Sequence, residues 1–217
     1  MFRIISTKEE TNLKRAFNKW GIFDIYENLE ILIKPLKHES IPVSDYSGPS
    51  RDFLKDTSIK RMVNTQVKYK QEEINRDFEV YICSNREQKE LTIKLQPIHS
   101  GIIIGEVRNK KFLPNLNFAE IVVNYNPRLN YPYVILENKG ANLALYGRDI
   151  MGNSILDFFH EIKENQILII FNQKKEVIGI GRSRYNNNLI TQIDKITIDN
   201  IQDIGTHYLK DENNYIL

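Results

Sequence analysis

Cysteine is nearly absent from this sequence. The single Cys83 has no partner for an internal disulfide, which fits a reducing compartment and predicts a cytoplasmic protein. It lies in the strand-like run "FEVYICS" with no histidine nearby, so a buried structural thiol is favoured over a nucleophile. Long apolar runs are missing too. The longest, "QILIIF" and "SGIIIGEV", fall far short of the roughly 20 residues that span a bilayer. The start, "MFRIISTKEE", has no sustained apolar region of the signal-peptide kind, so no membrane partner is expected. Nor is there an excess of one charge: 30 Lys+Arg face 28 Asp+Glu, a net of +2. From Tyr131 onward nine Lys+Arg face eleven Asp+Glu, a net of −2, which leaves 21 against 17 before it. A wholly basic face is therefore excluded, and any anion-binding surface must be a local patch.

Catalytic and cofactor motifs are missing as well. A dinucleotide loop needs Gly-x-Gly-x-x-Gly opening a helix. "GIGRSR" carries Arg184 at the third position, and the "YNNNLI" that follows has no amphipathic period. No Gly-Lys-Ser/Thr phosphate loop occurs. The four histidines, His38, His99, His160 and His207, are scattered without metal-ligand spacing. Asp77 and Glu79 flank Phe78 as a solvated pair would, and Ser100-Gly101 lacks the glycine of a nucleophile elbow. These absences predict a protein that is not an enzyme and takes neither metal nor cofactor.

What is present divides into two textures. Up to residue 130 the chain reads as an N-terminal α/β domain. Thr7 to Trp20 predicts a helix, with Thr7 and Glu10 as a capping box, Leu13, Phe17 and Trp20 on one stripe, and Gly21 as the stop. Trp20 is read as a core anchor in preference to a ligand platform. "LEILIKP", "DFEVYICS" and "ELTIKLQP" read as strands, the last two joined by a polar turn, and "RDFLKDTSIKRMV" as a helix. "SGIIIGEVRNKKFLPNLNFAEIVV" reads as a short helix, a strand and another helix. Pro127 and Pro132 bracket an Asn-rich linker. From 131 to 217 short strands follow closely: "YVILE", "ANLALY", "QILIIF", "VIGIGRSRY" and "DKITI", with one helical candidate around Asp149 to Ser154. This spacing predicts a small β-barrel. The fold class is α+β, an N-terminal α/β domain followed by a small barrel, with no internal repeat.

The glycines of "VIGIGRSRY" suit a strand. Alternation puts Ile178, Ile180, Arg182 and Arg184 on one face, and Gly179, Gly181 and Ser183 on the other. The second face is nearly bare, so a helix or a ligand backbone can approach it. From Val177 to Ile193 there is no carboxylate. Arg182 and Arg184 are candidate phosphate contacts, with a solvated strand end as the plain alternative, and Tyr185 is a candidate base-stacking ring. A second stretch without carboxylates, Thr57 to Gln71, carries Lys60, Arg61, Lys68 and Lys70, read either as a solvated helix end or as a phosphate-binding patch.

"LALYGRDIMGNSI", "EVIGIGRSRY" and "IDNIQDIGTHYLKDE" together resemble a PUA domain. "Leu-Tyr-Gly" at Leu145 to Gly147, "Asp-Ile-Gly" at Asp203 to Gly205 and Tyr208 are similar to the Nip-seven family of ribosome-biogenesis factors. The segment from Ser100 is similar to that family's sequence just before its PUA domain. The resemblance implies RNA binding without catalysis, a role in large-subunit rRNA maturation, and precursor rRNA as the partner. It places Gly147 and Arg148 at the turn that opens the first helix of that domain, Arg182 and Arg184 on the Gly-x-Gly strand, and Lys210 in a C-terminal basic segment. Two alternatives stay open: an accessory protein that presents RNA to a modification enzyme, and a protein–protein adaptor without RNA affinity.

Overall fold

The structure, a computed structural model, describes residues 1–36 and 77–206. Helix α1 (Thr7–Lys19) starts one residue earlier than the expected capping box. Ser6 is the N-cap, and the Glu9 carboxylate accepts its backbone N–H at 2.9 Å and its hydroxyl at 2.7 Å. Glu10 instead pairs with Lys14 at 2.9 Å. Leu13, Phe17 and Trp20 are buried, and Gly21 turns the chain away at φ +67°. A single turn, α2 (Phe23–Tyr26), leads into the first sheet.

That sheet has the order β1 (Glu30–Pro35), β2 (Phe78–Cys83), β3 (Ile102–Arg108), β4 (Lys111–Pro114), all antiparallel. Two expectations fail here. "ELTIKLQP" belongs to helix α3 (Arg86–Leu95), and the supposed polar turn is its first turn. The Asn85 side chain caps it, accepting the Gln88 N–H at 2.8 Å. The start of "SGIIIGEVR" is strand β3, which turns into β4 through Asn109 and Lys110, both at positive φ. Helix α4 (Leu116–Tyr125) closes this part. The sheet is covered on both faces. Ile31, Ile33, Phe78 and Val80 share a core with α1 and α4, while Leu32, Tyr81 and Cys83 pack with Phe2 under Ile93 of α3.

Every strand after residue 130 among the described residues joins a second sheet. Its members are β5 (Tyr133–Leu136), β6 (Ile150–Met151), β7 (Ile155–Phe158), β8 (Ile167–Phe171), β9 (Val177–Ser183) and β10 (Ile196–Asp203). Their order is β6-β10-β9-β8-β5-β7, curled into a near-closed barrel in which β5 and β8 run parallel. "ANLALY" is not a strand. It is most of helix α5 (Asn138–Leu145), which buries Ala141 and Ala144 and exposes Leu143. The helical candidate near Asp149 is strand β6 and one 3₁₀ turn, Gly152–Ser154.

The barrel interior holds Val134, Leu136, Leu168, Ile170, Ile178 and Ile198. The alternate residues Tyr133, Ile135, Ile169, Phe171 and Ile180 join the core of α1, α4 and the first sheet. A register shift where Phe171 meets Val177 breaks the alternation of β9. Ile178 and Ile180 therefore enter different cores, not one face as the sequence suggested. The glycine face is also not a bare surface. A Cβ on Gly179 would stand 2.8 Å from the Gln202 carbonyl oxygen, and one on Gly181 would stand 3.2 Å from Ile170 Cδ1. Those glycines let β10 and the interior side chains close in on β9, so no ligand backbone fits there.

Candidate nucleic-acid interface

The Gly147 turn does not open a helix, as the resemblance implied: it follows the end of helix α5 and leads into strand β6. Gly147 sits at φ +72°, and its N–H reaches the Ala144 carbonyl at 3.0 Å. Asn200 of β10 fixes the turn from below. Its side-chain amide donates to Ala144 O at 2.8 Å and to Arg148 O at 3.3 Å, and its backbone N–H donates to Asp149 Oδ1 at 3.0 Å. The backbone is thus held while the side chains face outward. Gly147 and Arg148 are exposed, and the Arg148 guanidinium has no ion-pair partner among the described residues. Tyr146, next to Gly147 in the chain, is 67% exposed; the alternation of "ANLALY" hides this ring, because it reads as a strand.

The two arginines of β9 and its edge have different surroundings. Arg184 Nε donates to Asp199 Oδ1 at 2.5 Å, and its Nη2 donates to Asp149 Oδ2 at 3.2 Å. It ties the Gly147 turn to β10, and its pKa is raised first by the Asp199 hydrogen bond. Arg182 is exposed and has no ion pair among the described residues. It lines a cleft of about 770 Å³ between β9, β4 and α1. Tyr185 is half-buried, and its carbonyl accepts the Ser183 hydroxyl. Gly147, Arg148 and Arg184 are therefore gathered in one region, whereas Arg182 faces the joint between the sheets. Lys60, Arg61 and Lys210 lie outside the described residues.

Cys83 is buried, and that burial pushes its thiol pKa up. Among the described residues no group of His, Cys, Asp or Glu is arranged to hold a metal ion. No helix among them is long and apolar enough to cross a membrane.

Residues 132–213 match the UPF0113 PUA domain family. A UPF0113 protein of Archaeoglobus fulgidus is 32% identical over 125 residues, which are 57% of this chain and 68% of that protein. The chain belongs to the UPF0113 family. Its fold recurs along the whole length of two solved archaeal structures. One is a hypothetical protein of Pyrococcus horikoshii, with TM-score 0.59, 10% identity and 94% of each chain covered. The other is a conserved PUA domain protein of Thermoplasma acidophilum, with TM-score 0.54, 13% identity and coverage of 97% of this chain and 99% of that one. At those identities the likeness concerns the fold. The second sheet and α5 are thus a PUA domain, a module that generally binds RNA and is typically non-catalytic.

Proposed function

We propose that the chain is an RNA-binding ribosome-biogenesis factor that acts in large-subunit rRNA maturation through its PUA domain. One observation carries the RNA contact: in a domain of RNA-binding type, the Gly147 turn has a fixed backbone yet presents Arg148 and Tyr146 to solvent. An exposed guanidinium and an exposed ring carried on one turn suit a phosphate next to an unstacked base. Arg184 serves this surface by holding its rim, since direct phosphate contact would require it to leave Asp149 or Asp199. The assignment to ribosome assembly rests on the likeness of "LYG" and "DIG" to the Nip-seven family.

Crosslinking in cells with sequencing of the bound RNA tests both parts. Precursor large-subunit rRNA is the expected product. Crosslinks confined to tRNA, together with a co-purifying modification enzyme, would replace the assembly role with an accessory one. Absence of any crosslinked RNA, with stoichiometric protein partners instead, would leave the chain an adaptor.

A further inference from the structure

Arg182 is part of a larger arrangement. The 770 Å³ cleft takes Arg15 and Lys19 from α1, Lys111 from β4 and Arg182 from β9, and no carboxylate lines it. All four side chains are exposed, and none is ion-paired among the described residues. In a chain whose net charge is only +2, that is a concentrated positive site. Desolvation, and after it the charge of the neighbouring Lys163, pull the Lys19 pKa below its ordinary value. Two carboxylates stand near Arg182 on the far side: Glu106, which has a cationic partner, and Glu79, which accepts a neutral hydroxyl and keeps its charge. Glu79 accepts the Tyr81 hydroxyl at 2.7 Å, and Glu106 pairs with Arg108 at 2.8 Å.

The shape of the cleft narrows the ligand. Its volume lies in the range of about 300–1,000 Å³ that accepts a drug-sized molecule, so more than one phosphate fits. Half-buried Phe112 and Pro114 form part of its wall, giving a base an apolar surface. Strand β9 and the residue beyond it link the cleft to the exposed turn. Arg182 lies two residues from Arg184, roughly 7 Å along the strand, and Arg184 meets Asp149, which adjoins Arg148.

We propose that this cleft between the two sheets is a second RNA contact, in which Arg15, Lys19, Lys111 and Arg182 hold phosphates of a single strand that arrives along β9 from the Arg148 turn. The proposal rests on the RNA-binding reading above. The strand crosses from the barrel to the N-terminal helix, so both sheets share one ligand. Neither the barrel nor the helical layer alone supplies all four cations.

Fluorescence anisotropy with the full chain and a labelled single-stranded oligouridylate of about 12 nucleotides, a length suited to such sites, provides the test. The cleft variant combines Arg15→Gln, Lys19→Gln and Lys111→Gln. Its affinity at low salt should fall by roughly tenfold or more, and its log–log salt slope should flatten by about 2, at about 0.7 for each lost phosphate contact. Arg148→Glu should also weaken binding. Lys174→Gln with Lys175→Gln, at the opposite end of the β8–β9 hairpin, should leave binding unchanged. Should the triple variant melt early, Lys111→Gln alone should still flatten the slope by about 0.7. If the cleft variants bind as the parent does while Arg148→Glu does not, the cleft proposal is overturned and RNA binding at the turn stands. If the parent binds no RNA at low salt, the RNA reading itself falls. If the cleft variants lose polyglutamate binding but keep RNA, the cleft belongs to an acidic protein partner.

Discussion

Arg182 and Arg184 look alike in the sequence, two residues apart on one strand with no carboxylate for several positions on either side. Their difference comes from Asp199 and Asp149, which lie 15 and 35 residues from Arg184 along the chain. Local spacing carries no record of such partners, so the sequence could nominate both arginines but could not rank them. Tyr146 was lost for a related reason: its exposure depends on the helix before it. Glu9 shows the same long reach at shorter range. Arg3 donates to both its carboxylate oxygens, at 2.7 and 2.9 Å, and that pairing is the main cause that lowers the Glu9 pKa from 4.5 to about 2. A carboxylate with a depressed folded pKa stabilises the fold above its unfolded pKa and loses that contribution as the pH falls. Glu9→Gln should therefore cost about 1 kcal/mol at neutral pH through the cap and the partly exposed ion pair. The difference from the parent should shrink between pH 4.5 and about 2. Urea unfolding at several pH values measures this, and a gap that stays constant down to the lowest pH would refute it.

Among the elements, the legible ones were those whose apolar period was unambiguous. Helix α1 and strands β1, β2, β5 and β8 form where their patterns place them, and β9 does too, although a bulge breaks its alternation. The two helices mistaken for strands are short and carry accidental alternation. In "ELTIKL", Leu91, Thr92 and Ile93 suggest a pleat, but Thr92 is the buried residue and Leu91 is 48% exposed. Only a thin stripe of α3 touches the sheet, so the helical period is weak. "ANLALY" buries its small alanines and turns Leu143 outward, which inverts the usual weight of apolar residues. For α3 the deciding signal was the cap rather than the period. Asn85→Ala should remove the bond to Gln88 N–H and cost about 1 kcal/mol, without altering the barrel. Thermal melts of the variant check the first part. Amide exchange checks the second: faster exchange should be confined to the first turn of α3, and loss of protection across β8 and β9 would contradict it.

At the scale of the whole molecule, two sheets share one core. Helix α4 packs against both β3 and β9, and Trp20 lies 6.2 Å from Tyr131, ring centre to ring centre. Asn126 is buried at the joint, where its amide donates to the Gly21 carbonyl at 3.3 Å and to the Asn130 side chain. The Pro and Asn content of this stretch suggests a linker; Asn126, Leu129 and Tyr131 pack into the joint, while Pro127, Arg128 and Asn130 are exposed. A division into units 1–130 and 131–217 remains a proposal, and the shared core shapes what it predicts. Val134, Leu136, Leu168, Ile170 and Ile198 give the barrel an interior of its own, so a fragment starting at Tyr131 should keep its sheet signal in circular dichroism. That fragment would also expose Tyr133, Ile135, Ile169, Phe171 and Ile180, an apolar face large enough to bind a hydrophobic dye and to lower its melting temperature. In the intact chain the same packing should shield the segment from Asn126 to Tyr131 from limited proteolysis. Rapid cutting there, with a dye-silent fragment that melts as the parent does, would mean that the units are independent. A fragment that is unfolded would mean that the barrel needs the N-terminal layer to fold. The expected intermediate result, a folded barrel with one bare face, is the one that lets a strand of RNA reach from the barrel to α1 without a hinge between them.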